Sequence, residues 1–299
     1  MPLEVKPLTD VFAATVGGID LVDLDDQAFK QIQQAFEKHG VLIFPGQPMD
    51  DGQQIAFSER FGPLERTISA SPTAGTAFAR QSNIDIKSGD IIAKRDRRMD
   101  YQRGNYLWHA DSTFKKTPSL CSILTAREVP PEGGATEFAS TRAAYEALSP
   151  TRQDSLSALV VEHDLLHSRR EIGFTFTAKE AAQTPPVYHP LVQTNPVTGR
   201  KSMMIGAHAS GIVGWTVEEG RALLDELLEL ATLPPHTHRH DWRTGDLIIW
   251  DNRAALHRAT QYDTQHHRRL MQRTTISNPN AQTVSFARRN DWAPAQRTK

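Results

Sequence analysis

Apolar positions Phe29, Ile32 and Phe36 keep helical spacing, with Asp25 or Asp26 placed to cap the first turn and Gly40 to end the last. The next four residues, Val41-Leu42-Ile43-Phe44, are all apolar and stop at Pro45-Gly46, which predicts a buried strand. Asp50 opens a second helix carrying Ile55, Ala56 and Phe57 and ending near Gly62-Pro63. Between Arg66 and Gly104 small and polar residues take over and the apolar period fades. A run of that length without a pattern predicts a lid or specificity loop, with an irregular surface excursion as the plain alternative.

Strands are expected around Trp108–Asp111, followed by a tight turn at Pro130-Pro131-Glu132-Gly133-Gly134. Ser149-Pro150 supplies the cap and first residue of a helix through Leu159. Thr216 caps another, with Glu218 and Glu219 in the turn where the helix dipole favours acids. Its stripe of Leu223, Leu224, Leu227, Leu228 and Ala231 reads as core packing, and Pro234-Pro235 ends it. Strands return after Gly245-Asp246, and from Asn278 the chain is polar. No internal repeat or linker divides the chain. The expectation is a single domain over 1–277 with a polar tail over 278–299. Many short strands with peripheral helices predict an α+β fold on an antiparallel barrel or jelly roll.

Bulk composition mainly excludes. The 299 residues carry 34 basic and 35 acidic side chains, a formal charge of -1, so no global field favours nucleic acid or a membrane surface. The clusters Lys94-Arg95-Asp96-Arg97-Arg98 and His266-His267-Arg268-Arg269 are short, and the first reads as a solvated turn. One cysteine, Cys121, rules out an internal disulfide, suits a reducing compartment and lies in an apolar stretch as a buried thiol. The N-terminal residues lack the pattern of a signal peptide, and no apolar run approaches the roughly 20 residues of a membrane span. A cytoplasmic location is the expectation. Neither GxGxxG nor GxxxxGK[ST] occurs, which argues against nicotinamide, flavin-Rossmann and P-loop chemistry.

Candidate chemistry lies in Trp108-His109-Ala110-Asp111 and in Leu256-His257-Arg258. On a strand, residues two apart share a face, so His109 and Asp111 can grip one ion together. His257 follows the apolar run Leu247-Ile248-Ile249-Trp250 and can arrive from a second strand. Two histidines and one acid form the facial triad of non-haem Fe(II), which leaves about three positions open on an octahedral ion. An isolated H-x-D is common by chance, and two histidines with an acid also hold zinc. A zinc hydrolase would want a nearby general base, and no H-E-x-x-H motif is present.

The surrounding motifs decide the matter. Phe44-Pro45-Gly46-Gln47, Phe61-Gly62-Pro63-Leu64, Trp108–Asp111, Gly133-Gly134-Ala135-Thr136, Gly245–Arg253 and His257-Arg258 occur in order. From about Phe12 to Thr275 the chain resembles the taurine dioxygenase and chlorophenoxyacetate dioxygenase family of Fe(II)/2-oxoglutarate oxygenases. Gln53–Phe57, Arg142–Leu148 and Ile205–Ser210 look closer to its aryloxyalkanoate branch. The resemblance implies a double-stranded β-helix in which His109, Asp111 and His257 hold Fe(II), with 2-oxoglutarate and O2 as cosubstrates. Thr136 matches the threonine on the cosubstrate's distal carboxylate. Its partner arginine normally follows the last iron ligand by eleven residues, which is Arg268, but the pattern Arg-Arg-x-Met-x-Arg fits only with a loop one residue longer. That register makes Arg269 the cosubstrate arginine and Arg273 the one facing the substrate's acid group. Strand alternation agrees, since 269, 271 and 273 share a face. Asn105 matches an asparagine near the substrate, against a turn role, and His208 could line the pocket or be a buried, hydrogen-bonded histidine.

The implied reaction hydroxylates the carbon beside the ether oxygen of an aryloxyalkanoate, giving a phenol, glyoxylate, succinate and CO2. The aromatic ring would be covered by the Arg66–Gly104 segment through Ile84, Ile86, Ile91 and Ile92. A dioxygenase of taurine, another alkyl sulfonate or a sulfate ester is the alternative; that segment contains no histidine, which weakens the taurine reading. A non-catalytic jelly-roll binding protein is the rival from another class. The expected partner is a small anionic substrate, with no nucleic acid and no membrane, and the chain is expected to form a homo-oligomer. His236-Thr237-His238-Arg239-His240 falls where the family has an ordinary strand and is read as one, not as a second metal site.

Overall fold

The computed structural model describes residues 3–68, 71, 73–282 and 284. Its larger sheet runs in the order β1 (Glu4–Pro7), β2 (Ala14–Gly17), β3 (Val41–Phe44), β13 (Leu247–Asp251), β5 (Ser119–Glu128), β15 (Leu270–Ser277) and β4 (Phe78–Ser82). A smaller sheet orders β12 (Thr237–His240), β6 (Thr136–Ser140) and β14 (Ala255–Ala259). A third holds β11 (Ala209–Ile212), β7 (Val160–His163) and β8 (Val187–Pro190), and β9 (Val192–Thr194) pairs with β10 (Lys201–Met203). Pairing is antiparallel throughout except between β2 and β3.

Alternation along the central strands feeds two cores. Leu42, Phe44, Ile123, Leu247 and Ile249 pack outward against Phe29, Ile32 and Phe36 of α1 (Asp26–His39) and Phe57 of α2 (Asp51–Glu59). Val41, Ile43, Leu124, Ile248 and Trp250 point the other way, onto Phe138 of β6 and Ala255 of β14. The two sheets therefore close on each other with the metal-ligand candidates near their shared edge. Side chains buried on both faces explain why β3 and β13 read as unbroken apolar runs.

The caps lie where their residue types predict. Asp25 accepts from Ala28 N–H, and Gly40 ends α1 in the left-handed region at φ 72°. Asp50 and Thr216 form capping boxes at α2 and α8 (Val217–Ala231), and Ser149-Pro150 starts α5 (Pro150–Ser157), which stops short of Leu159. Two expectations need correction. The Arg66–Gly104 segment contains β4, an edge strand held by β15, and α3 (Arg97–Gln102), with a 3-10 turn over Arg103–Tyr106. Its pattern was invisible because one neighbour, not an apolar face, supplies the pairing. His109 and Asp111 do not lie on a strand; His109 makes one isolated bridge to His257 and Asp111 opens the turn beyond it. Short helices α4 (Thr141–Glu146), α6 (Leu165–Glu171) and α7 (Ala178–Ala182), each under two turns, were too brief for their period to register. The polar tail lies almost wholly outside the described residues.

Candidate metal and cosubstrate site

His109 N–H donates to His257 O at 3.1 Å and His257 N–H donates to His109 O at 2.8 Å. This reciprocal pair sets both side chains on one side, with ring centroids 4.2 Å apart. Asp111 joins them from the turn: its Oδ1 is 3.9 Å from His109 Nε2 and its Oδ2 is 3.8 Å from His257 Nε2. The three ligand atoms lie within 4.8 Å of one another, and all three side chains are buried.

The surroundings hold each ligand in its metal-binding form. His109 Nδ1–H donates to Leu107 O at 2.7 Å, which leaves Nε2 with its lone pair. Neither ring nitrogen of the buried His257 has a partner, a costly state unless an ion answers it. Its ring is wedged against Trp250 at 4.5 Å between centroids. Asp111 is tethered three ways: Ser122 Oγ–H donates to Oδ2 at 2.7 Å, its own N–H donates to Asn252 Oδ1 at 3.0 Å, and Ser119 Oγ–H donates to its carbonyl at 2.7 Å. Asn252 Nδ2 donates in turn to Ser122 Oγ, and Trp250 Nε1 donates to Asn252 Oδ1, both at 3.0 Å. Burial pushes His109 down to about 4 and His257 well below the usual histidine range, so both are neutral near pH 7. Burial works to raise the Asp111 carboxyl, but Arg273, the two imidazoles and Ser122 hold it at about 2. Neutral imidazoles beside an ionised carboxylate are the forms that bind a divalent cation.

Arg269 lies buried immediately before β15, and Arg273 lies within it on the cavity that His109 and Asp111 line. Arg269 is 4% exposed; it donates from Nη2 to Gly134 O at 3.1 Å and from Nη1 to Gln81 O at 3.5 Å, and its Nε has no partner. The Tyr262 ring lies 5.8 Å from its guanidinium carbon, and no acid pairs with it among the described residues. A buried guanidinium answered only by carbonyls fits a carboxylate guest. Thr136, at the start of β6, is also buried and accepts from Trp242 Nε1 at 2.9 Å, which leaves its own hydroxyl proton to donate. Arg268 points the opposite way, to solvent, where it binds Glu128 at 2.7 Å and Gly89 O. It does not reach the site.

Arg273 Nη1 lies 2.7 Å from Asp111 Oδ1, an ion pair without hydrogen-bond alignment. Asn105 and His208 line the same cavity as His109, Asp111 and Arg273. His208 is buried, hydrogen-bonded through Nδ1 to Ser168 Oγ at 2.9 Å, with its ring 4.9 Å from Phe114. His208 is thus buried, hydrogen-bonded and on the cavity wall. The isoleucines do not cover this cavity. Ile84 bridges Ile91, and Ile84, Ile86 and Ile92 line a separate hollow with Arg98; Ile86 is 58% exposed. Ile68, Ala77, Ala79 and Tyr101 face the cavity instead. Ser122, Ser119 and Arg169 were not read from the sequence, because no local motif distinguishes them from core serines and a surface arginine.

Two imidazoles and one carboxylate on one side of an ion, with the other side facing an open cavity, are the arrangement of a non-haem iron oxygenase. The chain belongs to the family described as taurine catabolism dioxygenase TauD, TfdA, whose model matches residues 4–275. It is 42% identical to the alpha-ketoglutarate-dependent 2,4-dichlorophenoxyacetate dioxygenase of Cupriavidus pinatubonensis, over 92% of this chain and 98% of that one. It is 35% identical to the (S)-phenoxypropionate/alpha-ketoglutarate-dioxygenase of Sphingobium herbicidovorans, over 94% and 97%. Among solved structures, AAD-2 in complex with Mn(II) and N-oxalylglycine superposes with a TM-score of 0.87 at 37% identity, covering 95% of this chain and all of that one.

Proposed function

We propose that this protein is an Fe(II)- and 2-oxoglutarate-dependent dioxygenase that hydroxylates the carbon beside the ether oxygen of an aryloxyalkanoate. The observation that carries it is the pairing of a preformed His109–Asp111–His257 triad with a buried Arg269, just before β15, that no acid pairs among the described residues. Relatives named for phenoxyacetate and phenoxypropionate substrates support the substrate class. The two sheets closing on a common core support a double-stranded β-helix. A single buried thiol supports a reducing, cytoplasmic setting.

Fe(II), when bound, would supply with 2-oxoglutarate and O2 the oxidising chemistry, succinate and CO2 being the coproducts. His109, Asp111 and His257 would hold the metal, with Ser122 on the Asp111 carboxylate and Asn252 on its backbone N–H keeping that residue in place. Arg269 and Thr136 hold the distal carboxylate of the cosubstrate. Arg273, Asn105 and His208 wall the space for the organic substrate and keep bulk water from it. Hydroxylation beside the ether oxygen yields a hemiacetal, which collapses to a phenol and, from an aryloxyacetate, glyoxylate. That collapse needs no protein acid or base.

The test is succinate formation from 2-oxoglutarate across aryloxyalkanoates, alkyl sulfonates and sulfate esters. Phenol release equal to succinate formed is expected with phenoxyacetate or phenoxypropionate. Sulfite release from taurine with no phenol from any aryloxyalkanoate would overturn the substrate class.

A further inference from the structure

The chain turns sharply straight after Asp111. Ser112 takes φ 58°, in the left-handed region that residues with a Cβ seldom enter, and Lys115 N–H closes the turn on Ser112 O at 2.9 Å. Such a backbone persists only where its surroundings hold it. Two groups distant in sequence do so here. His189 of β8 donates from Nε2 to Thr113 O at 2.9 Å and to Lys115 O at 3.2 Å, which fixes the backbone. Glu65 takes the side chains: its Oε2 accepts from Ser112 Oγ–H at 2.6 Å and from Lys115 Nζ at 2.5 Å.

Glu65 is itself anchored. Its N–H donates to Thr275 O at 2.8 Å and Leu64 bridges Ile276, so the residue rides on β15. The side chain is 9% exposed and Oε1 is buried without a donor, so among the described residues the carboxylate is answered only through Oε2. A buried carboxylate is costly unless donors meet it, and both donors lie in the turn beyond Asp111. Asp111 belongs to no strand, so no ladder fixes how it presents its carboxylate. Ser122 holds one oxygen and Asn252 and Ser119 hold the backbone, which leaves the direction of the departing chain to Ser112.

We propose that Glu65 is a positioning residue for the metal centre: through Ser112 it holds the left-handed turn that keeps the Asp111 carboxylate facing the two imidazoles. This role rests on the His109–Asp111–His257 reading and is independent of the organic substrate.

The test is calorimetric titration of the metal-free protein with Mn(II), with urea unfolding alongside. Wild type is compared with His109→Ala, Glu65→Ala, Glu65→Gln, Ser112→Ala and the double variant Glu65→Ala/Ser112→Ala. Glu65→Ala and Ser112→Ala should each weaken Mn(II) binding about tenfold, as loss of an outer hydrogen bond around a metal ligand does. Glu65→Gln keeps a carbonyl for the Ser112 hydroxyl and should stay within about threefold of wild type. The double variant should bind no worse than either single one, because both delete the same contact. Unchanged Mn(II) affinity in Ser112→Ala overturns the proposal, as do additive losses in the double variant or a Glu65→Gln as weak as Glu65→Ala. Should Glu65→Ala lower the urea midpoint, Ser112→Ala, which removes a single hydroxyl, decides the matter by itself. Mn(II) binding in His109→Ala as tight as in wild type would instead sink the metal reading, an outcome distinct from all of these.

Discussion

His109 and His257 meet as a single backbone bridge, each donating its N–H to the other's carbonyl, 148 residues apart in the chain. That one pair brings the loop carrying the H-x-D motif onto the strand carrying the third ligand. Metal geometry therefore depends on two hydrogen bonds and on the wedge of Trp250 behind the His257 ring.

Removing a ligand should remove the metal. His109→Ala or Asp111→Ala should lose substrate-coupled succinate formation almost entirely and bind Fe(II) far more weakly. Oxygen uptake and a metal titration check both, and most of the activity surviving in either variant would refute the assignment.

The tether on Asp111 should matter nearly as much. Ser122→Ala deletes the Oγ–H donor at 2.7 Å and should lower metal affinity by about 10- to 100-fold with little change in unfolding midpoint. An unchanged metal titration would mean that Arg273 on Oδ1 and the backbone tethers suffice to orient the carboxylate.

Arg269→Ala should raise the KM for 2-oxoglutarate by the equivalent of about 2–4 kcal/mol, since it deletes a buried charge-assisted pair. Arg268→Ala should move it little, because Arg268 spends its charge on Glu128 at the surface. Steady-state kinetics on the pair decides the register, and the reverse ranking would put the loop insertion elsewhere.

Stability away from the site should hinge on Arg253. Its guanidinium bridges Asp251, which is wholly buried, and Glu37 on α1 at 3.0 Å. Arg253→Ala leaves the Asp251 charge unanswered and should cost about 3–5 kcal/mol in urea unfolding. A cost below about 1 kcal/mol would show that water replaces the guanidinium.

Acid should destabilise the fold through His163. Burial holds this imidazole well below its usual range, with both ring nitrogens unpartnered. The unfolded chain takes up the proton below about pH 6.5 while the folded one does not, so stability is lost as pH falls through that value, by at most about 1.4 kcal/mol per unit. Unfolding free energies at pH 7.5 and 5.5 should show a smaller drop in His163→Phe than in the wild type; equal drops would assign the effect to other groups.

Much of this protein was written locally. Asp25, Asp50, Ser149 and Thr216 announced their helices because a cap is a contact between near neighbours. Val41–Phe44 and Leu247–Trp250 announced buried strands, because burial on both faces leaves no polar position to mask them. The preference for Arg269 over Arg268 rested on the Arg-Arg-x-Met-x-Arg pattern with strand alternation in agreement, and just before β15 the two side chains turn to opposite sides. What the chain could not declare was pairing at a distance. β4 exists because β15 offers it an edge, the isoleucines of the same segment turn to their own hollow, and Ser122 and Glu65 acquire roles only when segments far apart in sequence meet. Local periods and caps depend on residues a few positions apart; the neighbours of a buried serine or an unpaired arginine are set by long-range closure of the sheets, which leaves no mark in any short window of sequence.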